Sequence, residues 1–324
     1  MSEETLRFDG RTAIVTGAGR GMGRTHALLL AARGANVVVN DLGGAVDGSG
    51  SDAEPASSVV AEIEAQGGNA VANTASVASP EGAESIVASA VERFGGVDIV
   101  VNNAGILTSH QVPESGADDV ERHLSVHLMG AFNVTRAAWP QMASNGYGRV
   151  VMTTSCAIFG SPFLASYGAA KGGLVGLARN LATAGAEHGI KVNLVAPYAK
   201  TRMADPDSDI NQSARSDVSQ TPAATVFDLL LPELVSPVVA FFAHESCPVT
   251  GEIYAAGGGR VARMFLAETQ GYAKGDLTPE DVLAHWQTIQ DETDYYVPPD
   301  ITDYTTFFME RVPGAASLPA SGTV

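Results

Sequence analysis

The chain has 324 residues, of which 45% are hydrophobic and 17% charged. That apolar content can fill a folded core and excludes wholesale disorder. Nineteen Lys and Arg against 36 Asp and Glu leave a formal net charge of −17, which repels phosphate backbones and anionic membrane faces and argues against nucleic-acid or lipid-surface binding. Any anionic ligand must therefore be held by local dipoles or local cations. Two cysteines, Cys156 and Cys247, are too few for a disulfide framework and read as thiols of a reducing compartment. The stretch MSEETLRFDGR is acidic and lacks the apolar run of a signal peptide, and no segment approaches the roughly 20 apolar residues of a membrane span. The tail SGTV matches no peroxisomal or reticular address. The expectation is a soluble, cytoplasmic protein.

In chain order, residues 12–16 (TAIVT) read as a buried strand, followed by Gly-rich residues and a helix reaching Ala31. A second strand at 36–40 (NVVVN) ends at Asp41, and a Gly/Ser-rich surface loop (GGAVDGSGS) covers 43–51. Further strands are expected at 70–72, 98–101, 149–152 and 191–195, with helices at 59–65, 83–94, 120–142 and 169–184. The clearest helical spacing is Leu174, Leu177, Ala178 and Leu181, at i, i+3, i+4 and i+7. Residues 205–224 are polar and read as a long mobile segment. A last strand is expected at 253–256, followed by Gly257, Gly258 and Gly259 and then a C-terminal extension. That extension holds one predicted helix, with Thr278 as N-cap, Pro279 at the first position and Glu280 and Asp281 in the first turn. Residues 314–324 are small and polar and expected to be disordered. Alternating strands and helices predict an α/β fold with a parallel sheet covered on both faces, and right-handed crossovers leave a doubly wound sheet.

Between the first strand and the first helix stand Thr16, Gly17, Ala18, Gly19, Arg20, Gly21, Met22 and Gly23. Glycines there permit a tight turn and a close approach of a pyrophosphate, while the helix N-terminus offers free N–H groups and a positive dipole end. This answers the anion problem set by the net charge. Asp41 lies about 20 residues further on, where a carboxylate accepts from the adenosine ribose hydroxyls and repels a 2′-phosphate. That favours NAD over NADP, although Arg20 in the loop argues the other way.

Ser155 follows the strand expected at 149–152, and Tyr167 and Lys171 are one helical turn apart on the next helix. A strand end and an adjoining helix can aim these three groups at one carbonyl or alcohol. A phenol titrating near 10 is a poor base at neutral pH; a neighbouring ammonium and the nicotinamide cation favour its ionised form. Ser155 would hold the substrate oxygen by a hydrogen bond.

Together with Asn102, Asn103, Ala104, Gly105 and Pro197, these motifs resemble the short-chain dehydrogenases/reductases over about residues 7–260. The resemblance implies a Rossmann-type sheet of seven parallel strands with helices on both faces and a C-terminal helical extension. It also implies nicotinamide-dependent oxidoreduction and a homodimer or homotetramer built on the helices at 120–142 and 169–184. Cofactor contacts would come from Gly17, Arg20, Gly21, Met22, Gly23, Asp41, Asn103, Ala104, Gly105, Tyr167, Lys171, Pro197 and Thr201, and catalysis from Ser155, Tyr167, Lys171 and His127. In domain terms, residues 1–260 form the Rossmann-type domain, 261–313 an extension packed on it, and 314–324 a tail.

A narrower resemblance rests on Asn40 to Gly44, Val126–His127–Leu128, Thr135 to Trp139, Thr201–Arg202–Met203, His244 to Cys247 and the Thr278–Pro279–Glu280 helix start. These look like the (3R)-hydroxyacyl-CoA dehydrogenase part of the type 2 peroxisomal multifunctional enzymes and their bacterial single-domain relatives. The substrate implied is a small molecule, a fatty or steroid side-chain acyl-CoA. A free hydroxysteroid or other secondary alcohol is the alternative, and a non-catalytic NAD-binding protein a third. Several positions depart from the wider family. His127 stands where many members have an Asn that routes protons, and a packed neutral imidazole explains it nearly as well. Ala75 replaces an Asp that commonly meets adenine. Phe159, Phe163 and Leu164 could wall an apolar substrate or simply pack. Lys200, Arg202, Arg260 and Arg263 could meet CoA phosphates, though solvated surface charge is the plainer reading.

Overall fold

The computed structural model describes residues 5–204 and 227–313. The segments 205–224 and 314–324, expected to be mobile and disordered, lie outside the described residues. Two compact units emerge, one through Arg263 and one from Met264 onward.

The first unit alternates β1 (Thr12–Thr16), α1 (Gly21–Ala32), β2 (Asn36–Asn40), α2 (Glu54–Ala65), β3 (Asn69–Asn73), α3 (Pro80–Phe94) and β4 (Ile99–Asn102). It continues with α4 (Ala117–His123), α5 (Gly130–Asn145), β5 (Gly148–Thr153), α6 (Ala165–Gly185), β6 (Ile190–Pro197), α7 (Ser236–Ala243), β7 (Ile253–Gly257) and β8 (Arg260–Met264). One sheet runs in the order β3-β2-β1-β4-β5-β6-β7-β8, and its first seven strands pair in parallel. The central strands are wholly buried: every residue of β1, β4 and β5 is, as a sheet covered on both faces requires. Strand order reverses between β1 and β4, which opens a crevice at the carboxyl ends of those strands.

The sheet has eight strands where seven were expected. Gly258 and Gly259 have φ of +57° and +78°, a backbone suited to glycine. They turn the chain straight back from β7 into RVARM, and a two-residue connection joins antiparallel neighbours. Read as sequence, the glycine triplet looked like the end of the sheet rather than a hairpin.

The long helix expected at 120–142 is divided. Between α4 and α5, residues Leu124–Met129 form a π-helical segment. Apolar periodicity does not register the one extra residue that widens a turn. His127 sits within it. α3 follows local rules: Ser79 accepts from the Gly82 amide at 3.1 Å, Pro80 opens the helix and Gly95 closes it at φ +88°.

Among the described residues, the second unit holds three short helices where one was expected: α8 (Pro279–Ala284), α9 (Trp286–Ile289) and α10 (Ile301–Met309). Thr278 is the expected N-cap of α8, and it forms a capping box there, Thr278 accepting from the Asp281 amide and the Asp281 carboxylate from that of Thr278. Stacked rings join its pieces, with centroids 4.3 Å apart for Tyr296–Phe307 and 5.5 Å for Phe265–Tyr295. No helix among the described residues is long and apolar enough to cross a membrane.

Candidate active site

The crevice between β1 and β4 forms a groove. Its floor is the glycine loop. A Cβ on Gly23 would lie 2.1 Å from the Gly17 carbonyl oxygen, and one on Gly17 would lie 2.8 Å from Ala104 Cα, so neither position accepts a side chain. Thr16 Oγ1 accepts from the amides of Asn103 and Ala104 at 3.0 and 3.1 Å. Asn103 Nδ2 donates to the carbonyls of Thr16 and Gly17 at 3.0 and 3.1 Å. The two turns that carry Gly17 and Gly105 are thereby tied together. α1 starts at Gly21 with no side-chain cap, which leaves first-turn amides available to an anion. Donor set and cradle fit a dinucleotide.

At the adenosine end, Asp41 accepts from the Gly19 amide and the Gly43 amide, each at 2.7 Å. Its carboxylate is fixed by backbone on both oxygens and retains lone pairs for ribose hydroxyls. Gly17, Arg20, Gly21, Met22, Gly23, Asp41, Asn103, Ala104, Gly105 and Thr201 all line this groove, as does Ala75. Pro197 does not; it closes β6 outside the groove wall.

The segment after β2, read from sequence as a surface loop, forms part of the wall through Leu42, Gly44, Ala45, Val46 and Gly48. The Asp52 amide donates to the Leu42 carbonyl and the Leu107 amide to that of Val46, at 2.9 and 2.8 Å. Gly43 and Gly48 have φ of +79° and +88°, so glycine spacing was the one available signal.

The reacting groups gather at the end of β5. Ser155 caps a short 3₁₀ turn, Cys156–Phe159, with its hydroxyl accepting from the Ala157 amide at 3.1 Å. It also hydrogen-bonds to Tyr167. Tyr167 and Lys171 occupy the first turns of α6, with the Lys171 Nζ 5.6 Å from the Tyr167 ring centre. Lys171 is buried and donates to the Thr153 carbonyl at 2.6 Å. Burial pushes the Tyr167 phenol up to about 12, against the Ser155 hydrogen bond, which pulls it down. Burial also pushes the Lys171 ammonium down to about 7. The sequence expectation had the ammonium acidifying the phenol. In the protein alone desolvation outweighs that attraction, because both charged forms lose water together.

His127 is buried, with Nε2 2.9 Å from the Ile106 carbonyl oxygen. Burial first, and the Lys171 charge second, hold it well below the usual imidazole range, so it is neutral at physiological pH. Nε2 faces both the Ile106 carbonyl, to which it can donate, and the Ile106 amide at 3.2 Å, from which it can accept, so this contact is open to either tautomer, and Nδ1 has no protein partner. His127, Lys171, Asn102 and Thr153 line one small cavity, and Asn102 Oδ1 and Thr153 Oγ1 are also unpartnered. Three orphaned polar atoms beside an amine suit about one water molecule.

Sequence reasoning missed His123, one turn before His127. Its ring stacks on His127 at 5.8 Å and meets Tyr167 edge-on at 6.2 Å, while Nδ1 lies 2.9 Å from the Asp119 carbonyl oxygen. Asp119, nearly buried, accepts from Thr108 and Arg122 at 2.6 and 2.8 Å. The i, i+4 spacing of the two histidines was the legible signal.

The four cations considered for CoA phosphates do not form a cluster. Lys200 pairs with Asp228 at 2.5 Å and Arg263 with Glu252 at 2.9 Å. Arg202 lines the cofactor groove, within electrostatic reach of Arg20 and Asp41. Arg260 is exposed and acts on Tyr198. Phe159 is 77% exposed, whereas Phe163 and Leu164 are partly buried.

A parallel sheet with a glycine-floored crevice at its switch point, and a Ser–Tyr–Lys corner beside it, defines a nucleotide-dependent oxidoreductase. The chain belongs to the short chain dehydrogenase family, whose model matches residues 11–211. It is 45% identical over 284 residues to a short-chain type dehydrogenase/reductase from Mycobacterium tuberculosis, covering 87% of this chain and 94% of that one. Among solved structures, it is similar to the full-length peroxisomal multifunctional enzyme type 2 of Drosophila melanogaster, at 32% identity and a TM-score of 0.76. The match covers 94% of this chain and 50% of that one, so the chain spans half the length of that enzyme. It is also similar to a 7α-hydroxysteroid dehydrogenase complexed with NADH and 7-oxo glycochenodeoxycholic acid, at 29% identity and a TM-score of 0.66. That match covers 80% of this chain and 97% of the other.

Proposed function

We propose that the protein is an NAD-dependent dehydrogenase that interconverts a 3-hydroxyacyl-CoA thioester and its 3-keto form. One observation carries the reaction type: Ser155, Tyr167 and Lys171 meet at the end of β5, beside the dinucleotide groove. A nicotinamide dinucleotide held by the glycine loop and Asp41 would supply the hydride exchange at the carbinol carbon. Tyr167 takes the hydroxyl proton in oxidation and gives it back in reduction. Ser155 holds the substrate oxygen against the phenol. Lys171, poised near neutrality, relays the Tyr167 proton toward the cavity where His127 Nδ1 accepts.

Asp41 supports NAD over NADP, because its backbone-fixed carboxylate repels a 2′-phosphate. Arg20 and Arg202 flank it and favour the pyrophosphate against the acidic field of the protein. The acyl-CoA substrate draws support from the likeness to the multifunctional enzyme over nearly the whole chain. A hydroxysteroid is the second reading, favoured by the neighbour that carries a bile-acid ligand. An NAD-coupled assay of a 3-hydroxyacyl-CoA against an unesterified steroid alcohol decides between them. Preference for the thioester is expected, and preference for the free alcohol overturns the acyl-CoA assignment. Both described cysteines are free, which supports a cytoplasmic enzyme. On α6, Gly172 and Gly176 have open space around them, in keeping with a homodimer or homotetramer through that helix; sedimentation tests it, and a monomer contradicts it.

A further inference from the structure

We infer that Tyr198 is a second phenol of the substrate site, one that selects substrates carrying a carbonyl near the reacting carbinol. The inference rests on the acyl-thioester reading above and sharpens it. β5 and β6 are parallel neighbours with Thr153 opposite Val195. The strands end at Thr153 and Pro197, so Ser155–Cys156 and Tyr198 follow neighbouring strand ends. The Tyr198 phenol interacts with the Cys156 thiol, and Cys156 directly follows Ser155. Cys156 thus joins the second phenol to the catalytic serine along the chain.

Tyr198 is held from behind. Its amide donates to the Ala256 carbonyl at 2.8 Å. A Cβ on Gly257 would fall 2.2 Å from the Tyr198 carbonyl oxygen and 2.8 Å from its Cβ, so only glycine at 257 lets the two backbones lie this close. The tyrosine is nevertheless 47% exposed. A large aromatic residue pinned by its backbone and open to solvent at the carboxyl edge of the sheet lies where ligands enter such folds. A thiol is a weak hydrogen-bond partner, so a substrate oxygen displaces it at little cost. The phenol stays neutral at physiological pH, since its hydrogen bond to Cys156 and its burial both raise it, and a neutral phenol is a donor. A 3-hydroxyacyl thioester offers a carbonyl two carbons from the carbinol, so it presents an acceptor to Tyr198 while Ser155 and Tyr167 hold the carbinol oxygen. A plain secondary alcohol has no second oxygen to place there.

The test compares kcat/KM for a 3-hydroxyacyl-CoA and for a plain secondary alcohol of equal carbon number, in the unsubstituted enzyme and in Tyr198→Phe. NAD binding, followed by thermal shift, checks that the variant is folded. The expected result is a fall of about tenfold in the thioester-to-alcohol ratio, the worth of one hydrogen bond, carried by KM with kcat retained. A ratio within twofold of the unsubstituted enzyme overturns this role for Tyr198 while leaving the acyl-thioester reading intact. No thioester turnover by the unsubstituted enzyme overturns both.

Discussion

Lys171 points its ammonium at the Thr153 carbonyl, 2.6 Å away, while lying 5.6 Å from the ring centre of Tyr167. In the proposed mechanism it serves the tyrosine as the next proton carrier, not as a direct hydrogen-bond partner. Its position on the following turn of α6 places it behind the ring, with the small cavity beyond.

The two directions of reaction should differ in pH dependence. The Tyr167 phenol is raised to about 12, so it is protonated throughout the neutral range and ready to donate. Reduction needs that form and is expected to be flat from about pH 6 to 9. Oxidation needs the deprotonated form, whose fraction grows as pH rises toward the phenol pKa, so its kcat/KM should climb over the same range. Rate profiles in both directions check this; oxidation falling with rising pH would remove Tyr167 as the base.

Lys171 should cost stability. Its pKa is about 7 folded against 10.5 unfolded, so between these values the unfolded chain binds the proton more tightly. The contribution of this group to stability then rises with pH across that window, and the cost is complete below about pH 7. Lys171→Met is expected to raise thermal stability at pH 6, by on the order of 1–2 kcal/mol after loss of the Thr153 hydrogen bond, with the gain fading toward pH 10. Activity should drop at least about 100-fold. Destabilisation at pH 6 would show the ammonium to be better compensated than its surroundings suggest.

Much of this was legible in the sequence, and the divide has a physical basis. The strands at β1, β2, β4 and β5 announce themselves because a doubly covered sheet demands unbroken apolar runs. Gly17 and Gly23 are legible because nothing else fits against Ala104 and the Gly17 carbonyl. The π segment around His127 was not, since one extra residue in a turn leaves hydropathy unchanged. The inward fold of residues 42–52 was also hidden: its hydrogen bonds, Leu107 to Val46 among them, are made by backbone and leave no trace in side-chain pattern. The Tyr167 and Lys171 shifts depend on burial by distant segments, which spacing alone does not report.

Asp41 should set cofactor choice. Asp41→Ala removes the carboxylate that faces the ribose and frees Arg20 and Arg202 to meet a 2′-phosphate. The NAD-to-NADP preference in kcat/KM is expected to fall by at least about tenfold, the worth of a charge-assisted hydrogen bond or more. The variant should also lose about 1–3 kcal/mol of stability, because the Gly19 and Gly43 amides lose their acceptor. An unchanged preference would place specificity elsewhere.

His127 tests the relay. His127→Asn keeps an acceptor near the cavity and is expected to retain turnover within about tenfold, whereas His127→Leu should lose about 100-fold and gain a larger solvent isotope effect. Equal losses in both, with no change in isotope effect, would assign His127 to packing against Gly105 alone.

The most direct test of the central claim is Tyr167→Phe assayed for NAD binding and for single-turnover oxidation of a 3-hydroxyacyl-CoA. The substitution removes one oxygen and leaves the ring between His123, His127 and Lys171. NAD affinity within about threefold and oxidation reduced by at least about 1,000-fold is the expected result. Oxidation persisting within tenfold of the unsubstituted enzyme would contradict it.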